Sequence, residues 1–327
     1  MAGESALIVD VHLSARDLRA ALEDDVRAGL RAREKSIPPL WFYDEVGSGL
    51  FEEITHLDEY YPTRAERRLL TVFAPAIAEL AGADTLVELG AGACDKTRLL
   101  LAAMQAQGPL RRYVPFDVSD EFLRAAAAGI LEEYPEIQVR AVIGDFGRHL
   151  DRIPSGGRRL VAFLGGTIGN LAPMQRRRFF FDLNCTMQPV DHFLIGTDLV
   201  KDTRRIVAAY DDPGGVTASF NRNVLVVINR ELGADFDVTQ FDHVALWNAA
   251  EQWIEMRLRS RCRQVVHVRD LDMEVVFEAG EDLLTEISAK FTPERLEREL
   301  AAADFVVDAM WGADEGEYLL TLAHPYC

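Results

Sequence analysis

Two carboxylate-bearing patterns in this 327-residue chain have spacings that suit chemistry. The first is a series of strand ends. Val87-Glu88-Leu89-Gly90-Ala91-Gly92 reads as a buried β-strand that stops at an acidic residue and a Gly-x-Gly turn. Further on, Tyr113-Val114-Pro115-Phe116-Asp117 also ends in a carboxylate, and Val139-Arg140-Ala141-Val142-Ile143 runs into Gly144-Asp145-Phe146. Consecutive strands that finish this way are where an open α/β sheet binds a nucleotide-like cofactor. The second pattern runs from Thr285 to Phe291. As a strand it places Glu286, Ser288 and Lys290 on one face and Ile287, Ala289 and Phe291 on the other. Glu286 and Ser288 could then meet both nitrogens of an imidazole. The carboxylate would accept from one N–H, and the hydroxyl would donate to or accept from the other nitrogen.

Each strand end of the first pattern can be given a task. Gly90 and Gly92 allow a tight turn with no Cβ in the way of a ligand. Asp117 stands where a carboxylate accepts from ribose hydroxyls. Asp145 can accept from an exocyclic adenine amine, Phe146 offers a flat apolar face, and Lys96 can pair with a carboxylate on the cofactor. A lone Gly-x-Gly would be read as a turn, but three such ends in series favour a bound cofactor. A dinucleotide site wants G-x-G-x-x-G. Gly90-Ala91-Gly92-Ala93-Cys94-Asp95 lacks the third glycine and puts an acid near the place of a pyrophosphate. S-adenosylmethionine fits this strand end better.

The elements that must position these residues follow from periodicity. Ser14 to about Arg33 has helical spacing in Leu18, Leu22, Val26 and Leu30. Pro38-Pro39 ends it, and an aromatic segment follows (Trp41, Phe42, Tyr43, Phe51, Tyr60, Tyr61). Thr63-Arg64-Ala65-Glu66 has capping-box form, and Leu69, Leu70, Phe73, Ile77 and Leu80 predict a helix over Pro62 to about Ala81. Strands over Thr85–Leu89, Arg112–Asp117, Gln138–Ile143, Leu160–Leu164 and Phe193–Asp198 alternate with helices over Lys96–Gln105, Asp120–Glu133 and Met174–Met187. That alternation implies a parallel sheet. From Asp202 to Lys290 two helices (Arg204–Tyr210, Val216–Leu232) give way to alternating runs (Trp253–Leu258, Gln264–Val268, Met273–Phe277, Leu284–Phe291), which suit antiparallel strands. Thr292-Pro293 opens a helix, and Phe305–Met310 with Tyr318–Ala323 close the first sheet as a hairpin. The fold class expected is α/β: a class I, Rossmann-like methyltransferase sheet over residues 62–200 plus 291–327, with an inserted α+β substrate lobe over 14–61 plus 201–290.

Composition narrows the partners. The hydrophobic fraction of 49% is that of a soluble globular protein, and the net charge of −18 disfavours a nucleic-acid backbone. Cys94, Cys185, Cys262 and Cys327 form no C-x-x-C pair, and the seven histidines form no H-x-x-x-H pair. No metal is expected, and a reduced, cytoplasmic compartment fits. There is no secretory signal and no apolar run of the roughly 18 residues a membrane helix needs. Arg176-Arg177-Arg178 reads as a solvated helix face. With no long exposed apolar stripe, a monomer is the default.

Several segments resemble one family in detail. Trp41-Phe42-Tyr43-Asp44, Tyr60-Tyr61-Pro62-Thr63-Arg64, Gly165-Gly166-Thr167-Ile168-Gly169-Asn170, Gly196-Thr197-Asp198-Leu199-Val200-Lys201-Asp202 and Leu284-Thr285-Glu286-Ile287-Ser288 resemble the histidine-specific methyltransferases of ergothioneine biosynthesis. The resemblance runs from about Val26 to Leu322 in one order. It implies three methyl transfers from S-adenosylmethionine to the α-amine of L-histidine, giving hercynine. It also implies that Gly90, Lys96, Asp117, Asp145 and Phe146 contact the cofactor. Tyr60, Asn170, Tyr210, Glu286 and Ser288 would contact histidine, with Gly165, Thr167 and Met256 completing the substrate set and Tyr43 and Phe51 near the amine. The loop Ala91-Gly92-Ala93-Cys94-Asp95 departs from the hydroxylated and Glu residues expected there, and Gly166 stands in place of Ser.

Physically, Asn170 and Tyr210 offer neutral donors to a carboxylate. Methyl transfer to an amine needs a deprotonated nitrogen in line with the methyl group. Alignment by Tyr43 would serve that need, while an unperturbed tyrosine pKa near 10 makes it a poor base at neutral pH. Aromatic faces from Tyr43 and Phe51 suit the growing cation. Three alternatives stand beside this reading: a family relative acting on another amino acid such as tryptophan, a methyltransferase acting on protein or nucleic acid, and a cofactor-binding regulatory protein without catalysis.

Overall fold

The computed structural model describes residues 7–92, 94–108, 110–312 and 316–326. Ala93 and Cys327 of the expectations above lie outside them. In chain order the first elements are β1 (Leu7–Val11), α1 (Ala15–Arg31), β2 (Lys35–Ser36), α2 (Glu45–His56), α3 (Tyr61–Ala81), β3 (Thr85–Leu89), α4 (Thr97–Gln107), β4 (Arg112–Asp117) and α5 (Asp120–Glu133). Then come β5 (Gln138–Ile143), β6 (Arg159–Phe163), α6 (Pro173–Thr186), β7 (His192–Asp198), α7 (Thr203–Tyr210) and α8 (Val216–Leu232). The chain closes with β8 (Phe241–Asn248), β9 (Trp253–Ser260), β10 (Gln264–Val268), β11 (Met273–Phe277), β12 (Asp282–Ala289), α9 (Pro293–Ala301), β13 (Phe305–Gly312) and β14 (Tyr318–Pro325). These elements form two compact units. Unit 1 takes the described residues of Met1–Leu13, Pro62–Val200 and Phe291–Cys327; unit 2 takes Ser14–Tyr61 and Lys201–Lys290.

Unit 1 is an eight-stranded sheet in the order β1-β5-β4-β3-β6-β7-β14-β13. The strands from β1 through β7 are mutually parallel, and β14 runs antiparallel to both β7 and β13. This is the class I, Rossmann-like methyltransferase sheet, in which the closing hairpin slips its last strand beside β7. Its central strands are continuous apolar runs because both faces are covered; β3, β6 and β7 are buried along their whole length. Pro115 sits inside β4 without breaking it. The ladder to β5 skips from Tyr113↔Val139 to Phe116↔Val142, so no bond to β5 is registered at the prolyl position. Strand order reverses at β3 and β6, and that switch point opens the crevice at the strands' carboxyl ends.

Some elements differ from the expectation. The edge strand β1 is added in parallel to β5, from Leu7↔Val139 to Val11↔Ile143; five residues alone carry too little periodicity to announce it. The aromatic segment after Pro39 contains α2, whose pattern is diluted by Gly47 and Gly49. Asp44 caps it by accepting from Gly47 N at 2.8 Å. Arg176 is not solvated. It is buried, with a bidentate pair to Glu299 at 2.8 and 2.9 Å and a bond to the Leu171 carbonyl at 2.7 Å. A buried guanidinium persists only when its donors are matched in this way.

Unit 2 has its own apolar core, built from Leu22, Val26 and Leu30 of α1, Phe220, Val224 and Ile228 of α8, and the inner faces of its strands. Ser14 and Asp17 cap α1 reciprocally. A four-stranded sheet runs β2-β12-β9-β8, beside the β10-β11 hairpin. The strand β8 lies outside the alternating runs expected from sequence; only its first residue, Phe241, is fully buried. No described helix is long and apolar enough to cross a membrane.

Candidate active site

Unit 1 carries the five residues expected at a cofactor. Gly90 and Gly92 have φ of +68° and +50°, which side chains rarely adopt. A Cβ added at either would meet nothing within 4 Å. Backbone conformation, not crowding, therefore demands glycine here, and open space lies beside the main chain as an approaching ligand needs. Gly90 N donates to the Phe116 carbonyl at 2.8 Å, and Gly92 N donates to Asp117 Oδ2 at 3.1 Å. Asp117 Oδ1 accepts from Ser119 N at 3.1 Å. Burial pushes this carboxyl up despite the pull of those two amides, and its remaining lone pairs can take ribose hydroxyls. Asp145 Oδ1 accepts from Gly147 N at 2.7 Å. Phe146 meets Phe163 and Phe179 edge-on, with centroids 5.2 and 5.9 Å away.

The acid of the first strand end faces inward. Glu88 is buried and accepts from Thr97 Oγ1 of α4 and from Tyr113 Oη of β4, the latter at 2.7 Å. Burial pushes its carboxyl up to about 7. Cys94, one of the departures from the family pattern, joins the same network through Tyr113 Oη at 3.1 Å. Burial and the nearby Glu88 push its thiol up to about 12, which leaves it unreactive.

Lys96 precedes α4, and its ammonium pairs with Glu66. Glu66 is fully buried and also accepts from Gly165 N at 2.8 and 2.9 Å and from Tyr318 Oη at 2.8 Å. The capping-box reading of Thr63 and Glu66 is therefore wrong. Helix α3 already begins at Tyr61, so Thr63 lies inside it and Glu66 turns into the sheet. The signal that could have found Glu66 is an acid on the helix's apolar stripe, three and four residues before Leu69 and Leu70. Its bonds fix the turn after β6, where Gly165 and Gly166 have φ of +78° and +69°. A short 3₁₀ turn over Thr167–Asn170 follows. Thr167 Oγ1 donates to the Leu164 carbonyl at 3.1 Å, and Asn170 ends the turn half-buried.

The other expected substrate residues belong to unit 2. A bulge between Leu284 and Glu286 breaks the β12–β9 register. Thr285 and Glu286 are both buried at this bulge. Thr285 Oγ1 is tied to Asn221 at 2.6 Å. Glu286 then lies opposite Met256, and Ser288 opposite Ile254. Glu286 is 7% exposed. Among the described residues no side chain or amide donates it a hydrogen bond. Burial pushes its carboxyl up to about 8, with Lys290 pulling the other way. Ser288 Oγ accepts from Tyr210 Oη at 2.8 Å and from Lys290 Nζ at 3.0 Å. Around them stand aromatic rings: Tyr43 lies 5.6 Å from Phe51 and from Phe220, Phe51 is 6.2 Å from Tyr60, and Tyr60 is 6.2 Å from Tyr210. Phe220 was not expected in this set; its helical period reads only as core.

The raised carboxyl makes a testable statement about stability. A carboxyl whose folded pKa lies above its unfolded value adds stability at low pH that is lost as pH rises through the folded value. For Glu286 that loss spans the interval from its ordinary 4.5 to about 8. Glu286→Gln carries no such titration. Its melting temperature relative to wild type is expected to climb as pH is raised through this interval, measured by calorimetry without substrate. A constant difference would contradict the burial of an uncompensated carboxylate.

The fold also gathers ligand-type residues that are far apart in sequence. Among the described residues His192, Asp308 and His324 come close together, with His324 Nδ1 2.8 Å from Asp308. A metal on His192 Nε2 would leave its Nδ1–H buried without an acceptor, contrary to the outer-shell support that metal-bound histidines use. The pair Asp308–His324 is read as an imidazole–carboxylate contact.

The chain matches a family described as "Histidine-specific methyltransferase, SAM-dependent" over residues 22–325. It is 56% identical over 312 residues to the histidine N-alpha-methyltransferase of Mycolicibacterium smegmatis, covering 95% of this chain and 97% of that one. The protein of the same name from Mycobacterium tuberculosis is 55% identical over 312 residues, with coverage again of 95% and 97%. A Neurospora crassa relative named ergothioneine biosynthesis protein 1 is 30% identical over 236 residues, covering 70% of this chain and 27% of that one. A family match spanning nearly the whole sequence, on a class I methyltransferase sheet with open glycine turns at its switch point, places this chain in the family of histidine-specific, S-adenosylmethionine-dependent methyltransferases.

Proposed function

We propose that this protein transfers three methyl groups from S-adenosylmethionine to the α-amine of L-histidine, giving hercynine, the first step of ergothioneine biosynthesis. The observation that carries the substrate assignment is Glu286, a buried carboxylate without a hydrogen-bond donor among the described residues. An imidazole N–H supplies what its environment lacks. An apolar side chain in its place would leave the carboxylate unmatched, which is a strong ground for rejection. Incubation with S-adenosylmethionine and each free amino acid, read by mass spectrometry, tests the proposal. The expected result is addition of up to three methyl groups to histidine alone; preferential methylation of tryptophan or leucine contradicts it.

In this reading unit 1 holds the co-substrate and unit 2 recognises the amino acid's side chain. Gly90 and Gly92 give main-chain access, Asp117 takes the ribose, and Asp145 with Phe146 takes the adenine. Lys96 is already paired to Glu66, so any contact it makes with the co-substrate's carboxylate is shared with that partner. Unit 1 offers Gly165, Thr167 and Asn170 to the amino acid's polar groups. In unit 2 Tyr60 stands among the aromatic rings, Tyr210 acts through its bond to Ser288, and Met256 lines the ring's surroundings beside Glu286. The sulfonium supplies an electrophilic methyl carbon. The protein's part is to hold an uncharged nitrogen in line with it, and alignment is worth about 7–11 kcal/mol in favourable cases. Tyr43 orients the amine, and the faces of Tyr43 and Phe51 accommodate the methylated cation at about 0.5–2 kcal/mol per good contact. Tyr43→Phe is expected to lower kcat about tenfold or more while KM for histidine changes little, measured by steady-state kinetics. A loss confined to KM would contradict alignment. No metal takes part in these steps. The protein works as a monomer in the cytoplasm.

A further inference from the structure

Lys290 is fully buried, immediately follows β12, and was given no task by the sequence beyond sharing a strand face with Glu286 and Ser288. Its ammonium donates to Tyr210 Oη and to Ser288 Oγ, both at 3.0 Å, and lies 4.7 Å from the centroid of the Tyr210 ring. Tyr210 and Ser288 are themselves bonded at 2.8 Å. A phenol is the better donor and an aliphatic hydroxyl the better acceptor, so Tyr210 gives its proton to Ser288. Ser288 Oγ thus accepts twice, from Lys290 and from Tyr210. A hydroxyl has two lone pairs and one proton. With both lone pairs engaged, Ser288 can meet a ligand only as a donor.

We infer that Lys290 is a positioning residue of the substrate site, acting through Ser288: it fixes the Ser288 hydroxyl as a donor and so selects the neutral imidazole, with one bare nitrogen facing Ser288 and one N–H facing Glu286. The inference rests on the reading of histidine as substrate and adds the form in which its ring is bound. A hydroxyl free to rotate would accept either nitrogen; a hydroxyl held as donor accepts only the bare one. The same ammonium pulls the Glu286 carboxyl down against the push of burial, so it also favours the ionised form of Glu286, which only accepts. Other charged groups on the packed elements are engaged elsewhere. On β9, Glu255 and Arg257 pair with each other at 2.6 Å. On β8, His243 lies between Asn221 Nδ2 and the Tyr210 carbonyl, each at 2.8 Å, and burial lowers its pKa.

The test uses the whole 327-residue chain with Lys290→Met, Lys290→Gln, Ser288→Ala and the Ser288→Ala/Lys290→Met double variant. Titration with S-adenosylhomocysteine, together with the thermal melt, reports whether each variant is folded. Lys290→Met is expected to raise KM for histidine about tenfold or more with a smaller change in kcat. The acid limb of kcat/KM is expected to move to higher pH, because Glu286 loses its neighbouring cation. The substrate's own titrations are common to all variants and cancel in the comparison. Lys290→Gln keeps N–H donors without charge. It is expected to recover part of the KM loss and none of the pH shift, and it serves in place of Lys290→Met if that variant does not fold. Above the acid limb, where Glu286 is ionised in every variant, the double variant should be no worse than Ser288→Ala in KM. Wild-type KM and an unmoved acid limb in both lysine variants overturn the inference, as do losses that multiply in the double variant. If the unsubstituted protein itself fails to methylate histidine, the proposed function fails instead, and the two outcomes are distinct.

Discussion

Replacing Glu286 by leucine is expected to cut kcat/KM for histidine by about 100-fold or more, close to 3 kcal/mol of lost recognition. It should also abolish the preference for histidine over leucine and tryptophan. The size follows from the site itself. Glu286 is buried, receives no hydrogen bond from the described residues and lies opposite Met256 across β9. A histidine ring that binds there gives the carboxylate the donor it lacks, and the bond favours its ionised form. Leucine fills a similar volume and offers nothing to an N–H, so the ring loses a partner and apolar side chains lose the penalty that excluded them. Kinetics with the three amino acids measure both effects. An unchanged preference would remove Glu286 from the role of selecting the side chain.

Glu66→Leu is expected to be the most damaging single change outside the substrate face. Glu66 accepts from Gly165 N and Tyr318 Oη and pairs with Lys96. Removing the carboxylate leaves an amide, a hydroxyl and an ammonium short of a partner together. Breaking a buried ion pair costs about 3–5 kcal/mol, and the lower end applies here because the Lys96 side chain is 20% exposed. Glu66→Gln keeps an oxygen for Gly165 and should lose about half as much. Urea unfolding followed by circular dichroism gives the stability, and titration with S-adenosylhomocysteine gives the consequence for the cofactor residues. Both variants should bind it more weakly, because the turn at Gly165 and the position of Lys96 depend on this carboxylate. Wild-type stability in Glu66→Leu would show that the network does not hold the turn.

The sheet of unit 1 is legible in sequence because parallel strands buried on both faces are written as unbroken apolar runs, and because the chain punctuates their ends with Gly and Asp. Gly90, Asp117 and Asp145 stand out for that reason. The same logic fails for β1, a short edge strand, and for α2, where two glycines blur the period. Side-chain partners across the fold are harder still. Glu66 sits at a helical position whose neighbours are apolar, and sequence alone offered a cap as the simpler use of an acid near a helix start. Arg176 follows the same lesson, since only the fold supplies Glu299 as its partner.

The substrate face shows where periodicity helps and where it stops. Alternation along β12 puts Glu286, Ser288 and Lys290 on one side. The bulge between Leu284 and Glu286 depends on register with β9, which no single-strand pattern contains. The contacts of Lys290 with Tyr210 and Ser288 join residues far apart in the chain, so the cation was visible as a strand neighbour and not as the group that orients two hydroxyls. Tyr43, Phe51 and Tyr60 read as an aromatic segment, while Phe220, which lies 5.6 Å from Tyr43 and 5.8 Å from Phe51, comes from a helix much later in sequence.

A crystal structure of the protein with histidine and S-adenosylhomocysteine bound decides whether Glu286 and Ser288 grip the imidazole. One imidazole nitrogen is expected within hydrogen-bond distance of a Glu286 oxygen and the other within reach of Ser288 Oγ. A histidine ring seated elsewhere, with Glu286 still lacking a donor, would contradict it.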